Sequence, residues 1–300
     1  MSDVDDVQSA MRILEDHEDH RVLRRISAPQ NWHLTGTEGS VRRGLFVDVE
    51  TTGLDIETDE IIEVALLPFD YDPRTGQIVA VHEGSALNEL RDPGIPIPAE
   101  SSQIHGITED QVKGKVVDEA RVKSLVDEAD LIIAHNSAFD RPMLERVWTV
   151  FVAKPWACSL VDIDWRSEGF GAGKLDYLLM QQGWFYDGHR ALSDCLAGVF
   201  LLSRVLPSSN KVGMQALLQS ARVKRFSIRA TGAPFESKDD LRKRGYRWDP
   251  GNENREKSWW TIVEDTEAEL EWLGQNIYYG EVDLPVMAIT AIDRFSVRGI

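Results

Sequence analysis

Apolar residues recur every three to four positions over residues 3–26, at Val4, Val7, Met11, Leu14 and then Val22, Leu23 and Ile26, with charges between them. That period predicts one or two amphipathic helices, an N-terminal arm packed on the body or on a partner chain, and the linker signals Ala28-Pro29-Gln30 and Gly36-Thr37-Glu38-Gly39-Ser40 follow it, so that arm and linker together span residues 1–40. From Val41 the pattern shortens to strand length. Leu45-Phe46-Val47-Asp48-Val49-Glu50 is a strand broken by Thr51-Thr52-Gly53. Residues 60–69 and 76–82 form two more strands, joined by the turn Asp72-Pro73-Arg74-Thr75-Gly76. Thr108 caps a helix, residues 130–136 form a buried strand, and a helix follows over 139–151. A short helix at 175–180 and a strongly apolar one at 195–202 complete the region. Strand, strand, strand, helix, strand, helix predicts an α/β domain over residues 41–208, a mixed sheet flanked by helices.

Beyond residue 221 the pattern reads β-α-β-β-α-β, a small α+β accessory domain over residues 221–300 with the order of a ferredoxin-like sandwich. Ser237-x-x-Asp240 and Thr266-x-x-Glu269 are read as caps of its two helices, and residues 284–297 as its last strand.

Composition changes this picture little. The 42% apolar and 28% charged content is that of a soluble globular protein. No apolar run reaches membrane-spanning length and no signal segment is visible, so a cytoplasmic protein without membrane contact is expected. Cys158 and Cys195 are too few for a disulfide framework and read as buried apolar residues. The net charge of -17 is unfavourable for binding phosphate backbones. Residues 41–220 carry most of the excess, with 28 acidic side chains against 16 basic ones. Carboxylates that serve as metal ligands would reverse this sign locally.

The candidate chemistry lies among those acids. Residues two apart in a strand share a face, so Asp48 and Glu50 sit side by side at a strand end, where open α/β sheets place their ligands. Asp140 falls at the start of a helix after a strand, and Asp194 in the first turns of another, with His189 on the loop before it. Each alone is ordinary: a solvated pair, a helix cap, a surface histidine. Together, four carboxylates suit hard divalent cations, and a two-ion site of Mg²⁺ or Mn²⁺ binds a phosphodiester while a nearby histidine deprotonates water. His17 and His20, set among acids in the arm, are read as solvated.

These residues carry a resemblance. Phe46-Val47-Asp48-Val49-Glu50-Thr51-Thr52-Gly53-Leu54 resembles the first motif of the DEDDh (DnaQ-like) 3′→5′ exonucleases. His135-Asn136-Ser137-Ala138-Phe139-Asp140 resembles the second, and His189-x4-Asp194 the third. Ile104-His105-Gly106-Ile107-Thr108 is similar to a segment of the epsilon proofreading subunits of DNA polymerase III. The resemblance covers about residues 44–205 and implies a ribonuclease H-like fold. It makes Asp48, Glu50, Asp140 and Asp194 ligands of two Mg²⁺ or Mn²⁺ ions and His189 the general base. It further implies that Thr51, Thr52 and Leu54 hold the terminal nucleotide, with Phe139 and His105 against the next one.

The implied activity is removal of nucleoside monophosphates from single-stranded or frayed DNA 3′ ends, in proofreading or repair. Its partners would be DNA 3′ ends and a DNA polymerase or repair complex. The alternatives are an exoribonuclease of the same family acting on RNA, and a non-catalytic scaffold. Cys158-Ser159 stands where many members have an Asp-Thr pair, which alters a channel wall but no metal ligand. In the C-terminal region, Lys238, Arg242, Lys243, Arg244 and Arg247 lie close to Trp248, Trp259 and Trp260. They form either a surface for single-stranded nucleic acid or a small aromatic core under a solvated helix.

Overall fold

A computed structural model describes residues 3–32, 34, 36, 39–253 and 255–297. The chain divides into two compact units, Met1–Ala221 and Arg222–Ile300. In the first unit the elements run α1 (Asp3–Glu15), β1 (Arg24–Arg25), β2 (Arg42–Thr51), β3 (Ile61–Tyr71), β4 (Ile78–Val81), β5 (Leu87–Leu90), α2 (Ala99–His105), α3 (Glu109–Val112), α4 (Glu119–Glu128), β6 (Leu131–Ala134), α5 (Ser137–Val147), β7 (Trp156–Cys158), α6 (Leu175–Gln181), β8 (Trp184–Phe185), α7 (Ala191–Ser203) and α8 (Gly213–Ala221). No helix among the described residues is long and apolar enough to cross a membrane.

The main sheet has the order β4-β3-β2-β6-β7, with β5 also paired to β3. β2 lies antiparallel to β3 and parallel to β6, and β6 is parallel to β7. This mixed sheet covered by helices is the arrangement that the sequence pattern predicts, and it agrees with the ribonuclease H-like fold that the resemblance implies. Alternation along β2 sorts its neighbours: Phe46 joins the core shared with α6, α7 and α8, while the fully buried Leu45 and Val47 face the other way. Asp48 and Glu50 have the parity of Phe46, so they continue the face that meets α7. That approach is very close, because a β-carbon on Gly198 of α7 would stand 2.1 Å from the Phe46 ring. Only glycine lets the helix lie this near the strand.

Several expectations are corrected. The helical spacing read over residues 3–26 holds only to Glu15. Arg24 N–H donates to the Gly183 carbonyl and Ile26 N–H to that of Phe185, both at 2.9 Å, so the chain joins β8 as an edge strand. A short isolated helix cannot compete with such pairing. The stretch read as a linker is partly built in: Trp32 is buried and packs edge-on against Phe200, ring centroids 5.0 Å apart. Residues 33, 35, 37 and 38 of that stretch lie outside the described residues. The helix expected from Thr108 is only the four residues of α3. Its capping box of Thr108 and Gln111 is present, but the chain turns at Gly114, φ +69°. The long helix is α4, whose Asp118 carboxylate accepts Arg121 N–H at 3.0 Å. α5 starts two residues before the expected 139 and gives way after Val147 to a 3-10 turn over Thr149–Ala153.

The second unit holds β9 (Arg225–Thr231), α9 (Lys238–Lys243), β10 (Arg247–Asp249), β11 (Ser258–Val263), α10 (Thr266–Leu273) and β12 (Val286–Ile289). Its strands pair antiparallel in the order β10-β11-β9-β12, the ferredoxin-like order. Ile228, Ala230, Leu241, Tyr246, Trp259, Leu273 and Ile277 form its core. Two caps differ from expectation. Ser237 makes no capping hydrogen bond, since a 3-10 turn over Phe235–Ser237 runs straight into α9 and its backbone is not extended. α10 is capped by Asp265 through Ala268 N–H, one residue before the expected Thr266. The last strand is confined to β12.

Candidate active site

One ligand oxygen each of Asp48, Glu50 and Asp194 lies within 4.8 Å of the others, the one such group of His, Cys, Asp or Glu among the described residues. β2 supplies the first two, and α7 supplies Asp194 from its first turn. Asp140, in the first turn of α5, lies outside that trio and is buried beside Asp48. His17 and His20 belong to no such group and stay exposed.

All four acids hold their protons more tightly than usual. Burial pushes the Asp48 carboxyl well up, with Asp140, Asp194, Glu50 and Glu63 adding repulsion. Glu50 is pushed up to about 8 by burial and then by Asp194, Glu63 and Asp140, against the pull of Arg190. Burial raises Asp140 to about 7, opposed by backbone hydrogen bonds at its own amide and at Val49 and Asn136. Asp194 is raised by burial and eased by hydrogen bonds from Tyr186 and the Arg190 amide. Like charges so crowded and desolvated call for a cation or protons among them. An all-oxygen donor set of this kind fits hard divalent cations, to which the carboxylates would turn their ionised forms.

Two hydrogen bonds hold the Asp194 carboxylate at the start of α7. Tyr186 O–H donates to Asp194 Oδ1 at 2.6 Å, and Arg190 N–H donates to Oδ2 at 3.1 Å. The Tyr186 phenol itself is pushed far up, by burial first and by Asp194 second, so it remains a donor. Glu63, cross-strand partner of Glu50 and 1% exposed, takes the Arg190 guanidinium on both oxygens, with Nη2 at 2.8 Å and Nε at 3.1 Å. Its Oε2 also accepts Ala191 N–H at 3.1 Å. Residues 190 and 191 are thus tied to β3, between His189 and Asp194. His189 is exposed and has a left-handed backbone, φ +62°, at the turn into α7.

Glu63, Arg190 and Tyr186 were not singled out from the sequence. The available signal was a lone carboxylate inside the apolar run Ile61-Ile62-Glu63-Val64-Ala65. A buried acid there needs a partner, though spacing does not say which.

The residues expected to hold substrate are placed unevenly. Leu54 is 86% exposed, free to meet a ligand. Thr51 and Thr52 are buried, and their hydroxyls serve the loop: Thr51 Oγ1 donates to Gly53 O at 2.6 Å, and Thr52 Oγ1 donates to Asp59 Oδ1 at 2.8 Å. Thr52 N–H is also engaged, with Glu60 O at 2.9 Å. Thr52 therefore shapes the loop that presents Leu54. Phe139 is half-buried at the start of α5. His105 is buried, accepts Ile107 N–H on Nδ1 at 3.0 Å, and keeps Nε2 without a partner. Burial lowers its pKa, and Glu63, His189 and Arg190 are close enough to act on it. His135 is held neutral by burial, its pKa lowered to about 4. Its Nε2 donates to Gly173 O at 2.7 Å, so its Nδ1 accepts from the Ser159 hydroxyl at 2.9 Å. Ser159 thus braces the strand end before Asp140. Cys158 and Cys195 are buried and unbridged, as read.

The family model described as Exonuclease matches residues 45–202, more than half of the chain. Over 193 residues the chain is 27% identical to a DNA polymerase III PolC-type protein of Thermotoga maritima, covering 59% of this chain and 13% of that protein. Over 177 residues it is 32% identical to a DNA polymerase III subunit epsilon-like protein of Rhodobacter capsulatus, covering 56% and 24%. The chain thus spans less than a quarter of the length of either relative. A solved structure of Exonuclease X in complex with 5′ overhanging duplex DNA aligns with a TM-score of 0.40 at 23% identity, covering 57% of this chain and 99% of that one. On the family match over residues 45–202, the chain belongs to the exonuclease family, as a DnaQ-like member.

Proposed function

We propose that the protein is a 3′→5′ exonuclease that removes nucleoside monophosphates from single-stranded or frayed DNA ends. The observation that carries this reading is the gathering of Asp48, Glu50 and Asp194 within 4.8 Å, with Asp140 behind them and His189 on the adjoining turn. Asp48, Glu50, Asp140 and Asp194 would hold two divalent cations, Mg²⁺ or Mn²⁺, which when bound activate water and stabilise the departing 3′-oxygen. His189, exposed at the rim, takes the proton from the attacking water. Water oxygen then bonds to phosphorus as the bond from phosphorus to the 3′-oxygen breaks. The products are a nucleoside 5′-monophosphate and a strand one nucleotide shorter.

Leu54, projecting from the loop after β2, packs on the terminal base, and Phe139 and His105 line the approach of the next nucleotide. DNA is favoured over RNA as the substrate because the two relatives at 27% and 32% identity carry DNA polymerase III names. The same names make a DNA polymerase or repair complex the partner class. Matched single-stranded DNA and RNA oligonucleotides, labelled alike and digested side by side in Mg²⁺, test the substrate. DNA should be degraded at least tenfold faster, and equal or faster loss of RNA would overturn this choice.

A further inference from the structure

The second unit divides its charge by sequence. Residues 222–257 hold 11 Lys and Arg against 6 Asp and Glu, while residues 258–300 hold 2 against 8. The basic half contains β9, α9 and β10. Part of it is structural: Arg229 and Arg255 pair with buried Asp249, and Arg244 pairs with buried Glu269. Three of the other cations lie over aromatic rings. Lys238 Nζ lies 4.3 Å from the centre of the Phe235 ring. One turn along α9, the Arg242 guanidinium lies 5.5 Å over Trp259, and Trp248 packs edge-on against the same ring at 5.5 Å. Arg247 lies 5.9 Å over Trp260, its cross-strand partner, on the face of the sheet opposite to Trp248 and Trp259.

This strip differs from a core in one respect. Trp259 and Trp260 are buried, but Phe235 is 74% exposed and Trp248 is 50% exposed. Each offers ring surface to solvent beside a cation. The acids on α9 do little to neutralise the strip, because Asp239 to Arg242 at 3.8 Å and Asp240 to Lys243 at 3.9 Å are exposed pairs. Cations that follow a phosphate backbone, alternating with open aromatic faces, suit unpaired bases, which a duplex would hide.

We propose that Phe235, Lys238, Arg242 and Trp248 form a binding site for single-stranded DNA, distinct from the acidic cluster of the other unit. The choice of DNA rests on the exonuclease reading above. The site gives the protein a second hold on the strand it degrades, and it supplies the positive surface that the net charge of -17 denies to the rest of the chain.

The test uses the full chain in EDTA with a fluorescein-labelled oligothymidylate of 12 nucleotides, read by anisotropy at two salt concentrations. One lost stack weakens binding by roughly 5- to 150-fold, so Trp248→Ala is expected to weaken it by at least fivefold. Trp248→Phe, which keeps a ring, should retain most of the affinity. Lys238→Ala/Arg242→Ala should both weaken binding and flatten its salt dependence. The same variants, with Mn²⁺ present, should hydrolyse the p-nitrophenyl ester of thymidine 5′-monophosphate at the wild-type rate, since that small substrate reaches only the cleavage site. Binding within twofold of wild type in the alanine variants would overturn the proposal. Displacement of the oligonucleotide from the strip by a poly-glutamate peptide at equal charge concentration would also overturn it, in favour of an acidic protein partner. If the wild type binds DNA yet fails to hydrolyse the ester, the exonuclease reading fails while the strip stands.

Discussion

Replacing Glu63 by Gln tests whether the turn carrying His189 is held in place from β3. Glu63 is 1% exposed and accepts both the Arg190 guanidinium and Ala191 N–H, so its carboxylate fixes the two residues after His189. Breaking a fully buried ion pair costs about 3–5 kcal/mol. Arg190 is 52% exposed, so water can replace part of what it loses, and Gln leaves no buried charge behind. A cost of about 2 kcal/mol is therefore expected. If all of it fell on positioning, turnover would drop about thirtyfold.

Arg190→Met should be worse, because it leaves the Glu63 charge buried beside Glu50 with no cation to balance it. The double variant should lose less than the two single losses combined, as for any pair that acts as a unit. Single-turnover digestion of a labelled oligonucleotide in Mn²⁺ reads positioning, and denaturant unfolding reads stability. Activity of both single variants within twofold of wild type would refute the reasoning. So would losses that simply add.

Tyr186→Phe removes the 2.6 Å donor to Asp194 and should raise the Mn²⁺ concentration needed for half-maximal activity by about tenfold, read by metal titration. An unchanged midpoint would mean that the phenol does not tune this acid. Gly198→Ala places a β-carbon against Phe46 and should cost about 1–3 kcal/mol of stability, with loss of activity as α7 is pushed off β2; unaltered unfolding would contradict the packing. In EDTA the folded state keeps protons on Glu50 up to about 8 and on Asp140 up to about 7, values the unfolded chain leaves near 4. The stability this provides is present below about pH 4 and is lost as pH rises through about 7 and about 8. Tm in EDTA should thus fall from pH 6 to pH 8.5, and saturating Mn²⁺ should cancel the fall; a Tm that rises over this range in EDTA would count against the acidic cluster.

The sheet was legible because apolar periodicity reports burial directly. Leu45 to Val47 and residues 131–134 are buried on both faces and read as strands from composition alone. The carboxylates were legible because β2 and the starts of α5 and α7 carry them at fixed local positions. What the sequence did not show depends on contacts distant along the chain. Arg24 and Arg25 pair with residues 160 positions away, and that pairing overrides local helical spacing. Glu63 meets Arg190 across 127 positions, so no window of sequence contains both. Trp248 and Trp259 face each other across β10 and β11 on one side of the sheet, yet Trp248 opens to solvent and Trp259 fills the core, because β10 is the edge strand and β11 an inner one.

Digestion of a 5′-labelled single-stranded DNA oligonucleotide by the wild type and by Asp48→Asn tests the central claim most directly. Asn keeps the shape of the buried carboxylate without its charge, so the fold should persist. The wild type should yield a ladder that shortens from the 3′ end one nucleotide at a time in Mg²⁺ or Mn²⁺, with no product in EDTA, and Asp48→Asn should yield none. Early release of the label as a mononucleotide, internal cuts, or full activity of Asp48→Asn would contradict the account.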